Sequence, residues 1–402
     1  MQAVSQHRPP AGAICLHART RQHCQGRDAQ YGCGVRALAW RAATLGLALV
    51  MAASRTAASE PATIDWVEVS PDGQAFVLAG SGRKFVPWGF NYDHDEAGQL
   101  LEDYWQRHWP RVEEDFREMK QLGANVVRVH LQLGKFMRTA REPDRAALEQ
   151  LGRLVALAER LGLYLDVTGL GCYHKKDVPA WYDQLEESER WAVQARFWEA
   201  IAQRCAQSAA VFCYDLMNEP VVPGADRKPG DWLGPAFAGK HFVQFITLKL
   251  AGRPRVAVAR QWINTLAKAI RRQDQRHLIT VGLVPWSLDR PGLTSGFVPS
   301  EIASSLDFIS VHLYPEQSKL HEALATLRGF RVGKPVLIEE TFPLRCSLAE
   351  FERFLKDSEA VAAGWIGFYW GKTPQECRQG KAIQDAIVLK YLELFQKKAQ
   401  LR

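Results

Sequence analysis

The chain has 402 residues, 47% of them hydrophobic and 24% charged, which excludes a disordered tail or a collagen-like fibre and allows a large buried core. Its formal charge of +7 is unevenly spread: residues 1–58 hold seven arginines, no lysine and one acid, Asp28, a net of +6 that leaves +1 for residues 59–402. The body is nearly neutral, so its charge points to no nucleic acid or other polyanionic partner.

Arg36 and Arg41 precede an apolar run over residues 42–53, and Thr56-Ala57-Ala58 supplies small residues suited to cleavage. This is the layout of a secretory signal peptide. The run is too short to cross a hydrocarbon core, which takes about 20 residues. Residues 1–34 carry three cysteines, three histidines and four arginines without periodicity, as expected of upstream sequence translated from too early a start. The expected organisation is a mis-started leader over 1–34, a signal peptide over 35–58 and one domain over 59–402, secreted or periplasmic, with no membrane span.

Of the eight cysteines, Cys15, Cys24 and Cys33 fall in the leader. The remaining five, Cys172, Cys205, Cys213, Cys346 and Cys377, are scattered and form neither a disulfide framework nor a zinc site. An oxidising compartment admits one bridge, Cys346 to Cys377, while Cys205 and Cys213 are expected to pack as small apolar residues.

In chain order, Trp66-Val67-Glu68-Val69, an Asp72-Gly73 turn and Ala75-Phe76-Val77-Leu78 predict a hairpin. Short apolar runs then alternate eight times with longer amphipathic ones. The predicted strands cover residues 85–89, 125–129, 164–167, 211–217, 278–283, 308–311, 335–338 and 365–369. Val112, Phe116, Met119 and Leu122 recur at helical spacing before the second strand, with Gly123 as a stop; a second helix runs from 146 to 161 and ends at Gly162, and the last covers about 383–394. Eight such units predict a single (β/α)₈ barrel, because each buried parallel strand needs a crossover helix before the next can pair. A doubly wound open sheet is disfavoured, since no Gly-x-Gly-x-x-Gly or phosphate loop follows a strand. Between Pro220 and about Val256 the rhythm breaks into a long Pro- and Gly-rich connection. After the fourth strand, it is placed to wall a cleft on the barrel rim.

Polar residues at the carboxyl ends of barrel strands are the candidates for chemistry. The fourth strand ends Asp215-Leu216-Met217-Asn218-Glu219-Pro220 and the seventh reads Lys334-Pro335-Val336-Leu337-Ile338-Glu339-Glu340-Thr341. Two carboxylates facing across a cleft can divide labour, one giving a proton to a leaving oxygen while the other attacks. That is the equipment of glycoside hydrolysis.

On these motifs the chain resembles glycoside hydrolase family 5, from about Phe85 to Trp370, and Asn218-Glu219-Pro220 is the most specific element. The resemblance implies a retaining β-glycosidase acting on a glucan- or mannan-type β-glycan, with Glu219 as acid/base, Glu340 as nucleophile and Asn218 as donor to the sugar 2-hydroxyl. It implies further that Arg128, on the second strand, neighbours the nucleophile, that His312 and Tyr314 form the sixth-strand His-x-Tyr pair, and that Trp370 floors the sugar site. Trp286, after the fifth strand, is a further substrate-binding candidate, and Asn91 to Asp95 end the first strand near the cleft. The implied partner is an oligo- or polysaccharide bound by a monomer, with no cofactor and no metal.

Two departures stand out. The third strand reads Asp166-Val167-Thr168 where many members carry Asp-x-His, so Tyr173 or His174 is the candidate substitute. Thr341-Phe342-Pro343 follows the seventh-strand acids where an aromatic and glycine are usual. Strand alternation alone would send Glu339 and Glu340 to opposite faces, one to the barrel mouth and one to the helices. The later residue lies nearer the rim, so Glu340 is favoured and Glu339 is expected to bond a lysine or a backbone amide.

Each candidate also has a structural alternative. Arg128 could fill the mouth in an ion pair, His312 and His130 could be satisfied core histidines, and Trp286 and Trp88 could serve packing alone. Two other function classes remain: a metal-dependent barrel hydrolase using His94, His130, His174 and His312 with Asp93 and Asp166, and a non-catalytic glycan-binding barrel.

Overall fold

The computed structural model describes residues 64–92, 98–288, 290, 294–368 and 371–401. The leader and signal peptide expected before residue 59 lie outside the described residues, as do Asp93, His94, Asp95 and Trp370.

Eight parallel strands close into a barrel: Trp88–Tyr92, Val126–Gln132, Tyr164–Gly171, Val211–Asn218, Leu278–Leu283, Ile309–His312, Val336–Thr341 and Ala362–Gly367. The eighth returns to the first, pairing Trp365 with Trp88. All eight are buried along their length, because helices cover the outside and side chains fill the inside. The crossover helices include Trp109–Gln121, Arg145–Leu161, Glu187–Cys205, Arg255–Arg271, Leu320–Gly329, Leu348–Ser358 and Ile383–Ala399. Among the described residues, the crossover from the fifth strand to the sixth holds the single turn Pro299–Ile302 and the 3₁₀ turns Pro285–Ser287 and Ala303–Ser305.

Local signals set the helix ends. Asp144 accepts from the Ala147 amide to cap the second-strand crossover helix, and Gly162 ends it in the left-handed region at φ 64°, where a residue with a β-carbon would be strained. Val112, Phe116 and Met119 lie buried on one face of the preceding helix, as their spacing predicts.

The predicted hairpin forms, pairing Val67–Val69 with Phe76–Leu78, and Lys84–Phe85 adds a third strand. This small sheet closes the bottom of the barrel: the Phe76 ring meets Phe212 and Phe308 edge-on at 5.1 Å each, inside the barrel-floor cluster. Here the expected first strand over 85–89 needs correction. Phe85 belongs to the bottom sheet, and the barrel strand begins at Trp88. Pro87 separates them because it has no N–H to continue a ladder, while its carbonyl accepts from Trp365. Asn91 and Tyr92 therefore lie inside the strand instead of in the loop after it. The bridge between Cys346 and Cys377 is not formed, and Cys205 and Cys213 are buried.

The long connection after the fourth strand is ordered across the rim. Pro220–Val221 pairs with Gln244–Phe245, and the His241 amide donates to the Tyr173 carbonyl. The loop is thus tied both to its own strand and to the segment after the third.

Candidate active site

At the carboxyl end of the barrel the strands converge on one buried guanidinium. Arg128, with no solvent exposure, donates from Nη1 to Glu340 Oε1 at 2.6 Å and to Asn91 Oδ1 at 2.8 Å, and from Nη2 to Asp215 Oδ2 at 2.6 Å and Asn218 Oδ1 at 3.1 Å. Glu339 Oε2 stands 3.6 Å from the same Nη2. The planar fork suits this task, since it presents several fixed donors at once. Asp215 is held in turn by the Gly282 amide at 2.7 Å and the Thr168 hydroxyl at 2.8 Å.

A second cation bridges the acids. His312 faces Glu219 Oε1 with Nδ1 at 3.0 Å and Glu339 Oε2 with Nε2 at 3.3 Å, and Nδ1 lies 3.4 Å from Glu340 Oε2. Burial by itself lowers the ring's basicity, but Glu340 and the bonds to Glu219 and Glu339 outweigh it and raise the ring to about 10, so both nitrogens donate. The Tyr314 hydroxyl donates to Glu340 Oε2 at 2.7 Å. Burial pushes Glu340 above the ordinary carboxylate range, with His312, Arg128 and Tyr314 pulling it back.

Backbone geometry aims these groups. Glu219 sits at φ 48°, a left-handed conformation that costs a side-chain-bearing residue of order 1–3 kcal/mol and clusters at functional sites. Its amide donates to the Gly282 carbonyl at 2.9 Å. On the seventh strand a bulge matches His312 with Glu340 immediately after Val311 with Ile338. Leu337 points into the barrel while Val336 and Ile338 pack outward, so Glu339 continues the inner face. The extra residue then turns Glu340 inward at the rim. This corrects the expectation that the two acids face opposite sides. Glu339 is buried in the barrel mouth and bonds His312 and Arg128, with neither a lysine nor a backbone amide as its partner.

Glu219, Glu340, Arg128, Asn218, His312 and Tyr314 are therefore brought together. His174 is half-buried beside the turn Lys175–Asp177 and takes no part in this network. Trp286, half-buried in the turn Pro285–Ser287, is joined to neither catalytic candidate. Trp88 stacks on Phe395 at 4.6 Å on the outer face of the barrel and serves packing. His130 is fully engaged below the rim: Nε2 donates to Asn91 Oδ1 at 2.9 Å and Nδ1 accepts from Tyr173 at 2.5 Å. Asn91 completes the frame by donating to the carbonyls of Glu339 and Gly367.

Several residues at the site carry no sequence signal. The Phe242 carbonyl accepts from Asn218 Nδ2 at 3.1 Å. Its ring lies 5.1 Å from Tyr173 and 6.0 Å from Phe368, which stands 6.4 Å from Tyr314. Phe242, Phe368 and Tyr314 are each half-exposed, a row of aromatic faces leading to Glu340. Phe242 comes from the irregular connection, where no periodicity marks an inward residue.

Among the described residues the acid–histidine trio with metal-ligand spacing is Glu219, His312 and Glu340, whose atoms lie within 4.8 Å of one another. His312 Nδ1 and Nε2 are both turned to carboxylates, Glu219 with Glu340 on one side and Glu339 on the other. The same distance has another use. Carboxyl groups about 5–5.5 Å apart leave no room for a water between acid and anomeric carbon, whereas about 6.5–9.5 Å does. One oxygen of Glu219 and one of Glu340 lie within 4.8 Å of each other, a close approach that is compatible with attack by a carboxylate.

The family model described as Cellulase (glycosyl hydrolase family 5) matches residues 88–341. The "Mannan endo-1,4-beta-mannosidase A" of Aspergillus aculeatus is 24% identical over 268 residues, covering 57% of this chain and 62% of its own; the chain thus spans less than two thirds of that relative. An exo-beta-1,4-mannosidase, Op5Man5, from Opitutaceae bacterium strain TAV5 superposes with a TM-score of 0.62 at 18% identity, over 83% of this chain and 62% of that one. The endo-1,4-beta-mannanase of Rhizomucor miehei does so with 0.58 at 17% identity, over 84% and 100%. At these identities the structural likeness is one of fold.

Proposed function

Because the chain belongs to glycosyl hydrolase family 5, we propose that it is a retaining β-glycosidase that cleaves a mannan- or glucan-type β-glycan by double displacement. The convergence of Glu219 and Glu340 on His312 at the barrel mouth, with one oxygen of each within 4.8 Å of the other, carries the reading. In the first step Glu340 attacks the anomeric carbon while Glu219 gives its proton to the departing glycosidic oxygen, leaving a glycosyl ester on Glu340. In the second, Glu219 takes a proton from water, the water oxygen attacks the same carbon, and the ester bond breaks to free Glu340 and a product of unchanged anomeric configuration.

The surrounding groups fit these roles. Arg128 and Tyr314 hold the two oxygens of Glu340, which orients the nucleophile and favours its ionised form. His312 links both acids. Asn218 gives its oxygen to Arg128 and one N–H to Phe242, leaving the other N–H for a sugar hydroxyl. The aromatic row offers apolar faces to sugar rings, and the strand-eight Trp370 is assigned to the same task on the family resemblance. Both acids come from one chain, so a monomer suffices.

The names of the relatives favour a mannan over a glucan. Reducing-sugar release from mannan, glucan, xylan and mixed-linkage glucan tests the substrate class, with mannan expected to be cleaved fastest. NMR of the first-formed product tests the mechanism: a β-anomer is expected, and an α-anomer would refute it. We assign export to the basic and apolar segment before residue 59, and among the described residues no helix is long and apolar enough to cross a membrane. Mass spectrometry of exported protein should find an amino terminus near Ser59; intact residues 1–34 there would contradict this.

A further inference from the structure

We propose that Asp166 keeps its proton and donates it in a carboxyl–carboxylate hydrogen bond to Glu339 across the barrel, acting as a positioning residue beneath the reacting pair. The assignment of the reacting pair rests on the function proposed above; the protonation of Asp166 does not.

Three carboxyl oxygens lead to it. Asp166 is fully buried, and neither of its oxygens meets an N–H or O–H donor. Glu339 Oε1 is likewise buried without one, although Oε2 is held by His312 and Arg128. Buried acceptors left unmet are destabilising, and more so when charged. The third and seventh strands stand opposite each other in the closed order, so inward acids on them face across the axis, as side chains of alternate strands do in barrel layers. A single proton between Asp166 and Glu339 Oε1 supplies the donor that both lack.

The other groups packed around Asp166 do not supply one. Cys213, its neighbour on the fourth strand, turns its thiol to Asp166, but a thiol is a weak donor and leaves the second oxygen and Glu339 Oε1 unmet. Asp215 brings a carboxylate already bonded to Arg128, Thr168 and Gly282. Arg128, the neighbour on the second strand, spends both terminal nitrogens elsewhere, and its buried Nε reaches no acceptor, Asp166 included. Charge agrees with geometry. Arg128 and His312 are the two cations here, and Asp215, Glu339 and Glu340 already oppose them. An ionised Asp166 would add a further anion at a fully buried position. Burial pushes its carboxyl well above the ordinary range, with Glu339 and Asp215 adding and Arg128 opposing. Burial also raises Glu339, but Arg128 and His312 overcome it and hold that group below its ordinary value.

Gly282 leaves the space in which this network meets. A β-carbon there would lie 2.9 Å from His312 Nε2, 3.0 Å from Glu339 Oε2 and 3.1 Å from Arg128 Nη2. With Oε1 tied to Asp166, Glu339 can turn only Oε2 to the two cations that also hold Glu340. Asp166 thereby acts on the nucleophile through Glu339.

The test uses the full chain. In wild-type protein labelled with carbon-13 at aspartate carboxyls, one signal should keep the chemical shift of a protonated acid at pH 7 and vanish in Asp166→Asn. No protonated aspartate signal in the wild type would overturn the proposal whether or not the protein hydrolyses any glycan. On an aryl β-glycoside, Asp166→Leu should lose activity, and Asp166→Asn, which donates N–H where the acid donated O–H, should restore at least about tenfold of that loss. Its acidic limb in kcat/KM should stay within about 0.3 pH unit of wild type. Were Asp166 ionised, Asn would delete a negative charge near Glu340, ease its ionisation and move that limb down by about one unit; that result also overturns the proposal.

Discussion

Arg128 meets Glu340 at 2.6 Å with the guanidinium wholly buried and the carboxylate nearly so. The same guanidinium bonds Asp215, Asn91 and Asn218, so it is at once the orienting group of the site and the counter-ion of the barrel mouth. Arg128→Lys keeps the charge and loses the fork. The expected result is a fall in kcat/KM of about a thousandfold with the protein still folded. Arg128→Ala should further lower stability by about 3–5 kcal/mol, the cost of stranding buried carboxylates. Urea unfolding and steady-state kinetics read the two effects separately.

A general acid matters most when the leaving group is poor. Glu219→Ala should abolish polysaccharide cleavage, retain much of the first step on an activated aryl glycoside, and be accelerated by azide, which needs no general base. Equal loss on both substrates without azide rescue would count against the acid/base role.

The bulge at the end of the seventh strand brings Glu339 and Glu340 to the same mouth, and only Glu340 lies at the rim beside Tyr314. A fluorinated glycoside that turns over slowly should trap a glycosyl ester, and peptide mapping should find it on Glu340. A label on Glu339 would reverse the assignment.

His312 rises from an ordinary 6.5 to about 10 in the fold. A folded value above the unfolded one gives stability that is complete below about pH 6.5 and lost as pH climbs toward 10. The melting temperature should therefore decline across that interval, and His312→Gln should flatten the decline. An identical slope in the variant would show that another group is responsible.

Much of this was legible along the chain. Eight apolar runs separated by helical periods imply a barrel because parallel strands buried on both faces must be apolar throughout and must be joined by crossovers. Asn218-Glu219-Pro220 and the paired glutamates after the seventh run mark the rim because catalytic groups follow strand ends. Glycine 162 and Asp144 mark helix ends through backbone conformation and capping, which are local effects.

Tertiary structure decided the rest, and the common reason is that register between neighbouring strands is not a local property. Whether Glu340 joins Glu339 in the barrel mouth depends on a bulge against the sixth strand, which no alternation within the seventh reveals. Phe242 reaches the site because an irregular connection is tied to Asn218 and Tyr173, contacts far apart in sequence. Asp166 reads along the chain as the acid of the departing third-strand motif and as a metal-ligand candidate; only barrel closure sets it opposite Glu339. Residue order marks which segments become strands, and the closed barrel sets where each strand ends and which side chains touch.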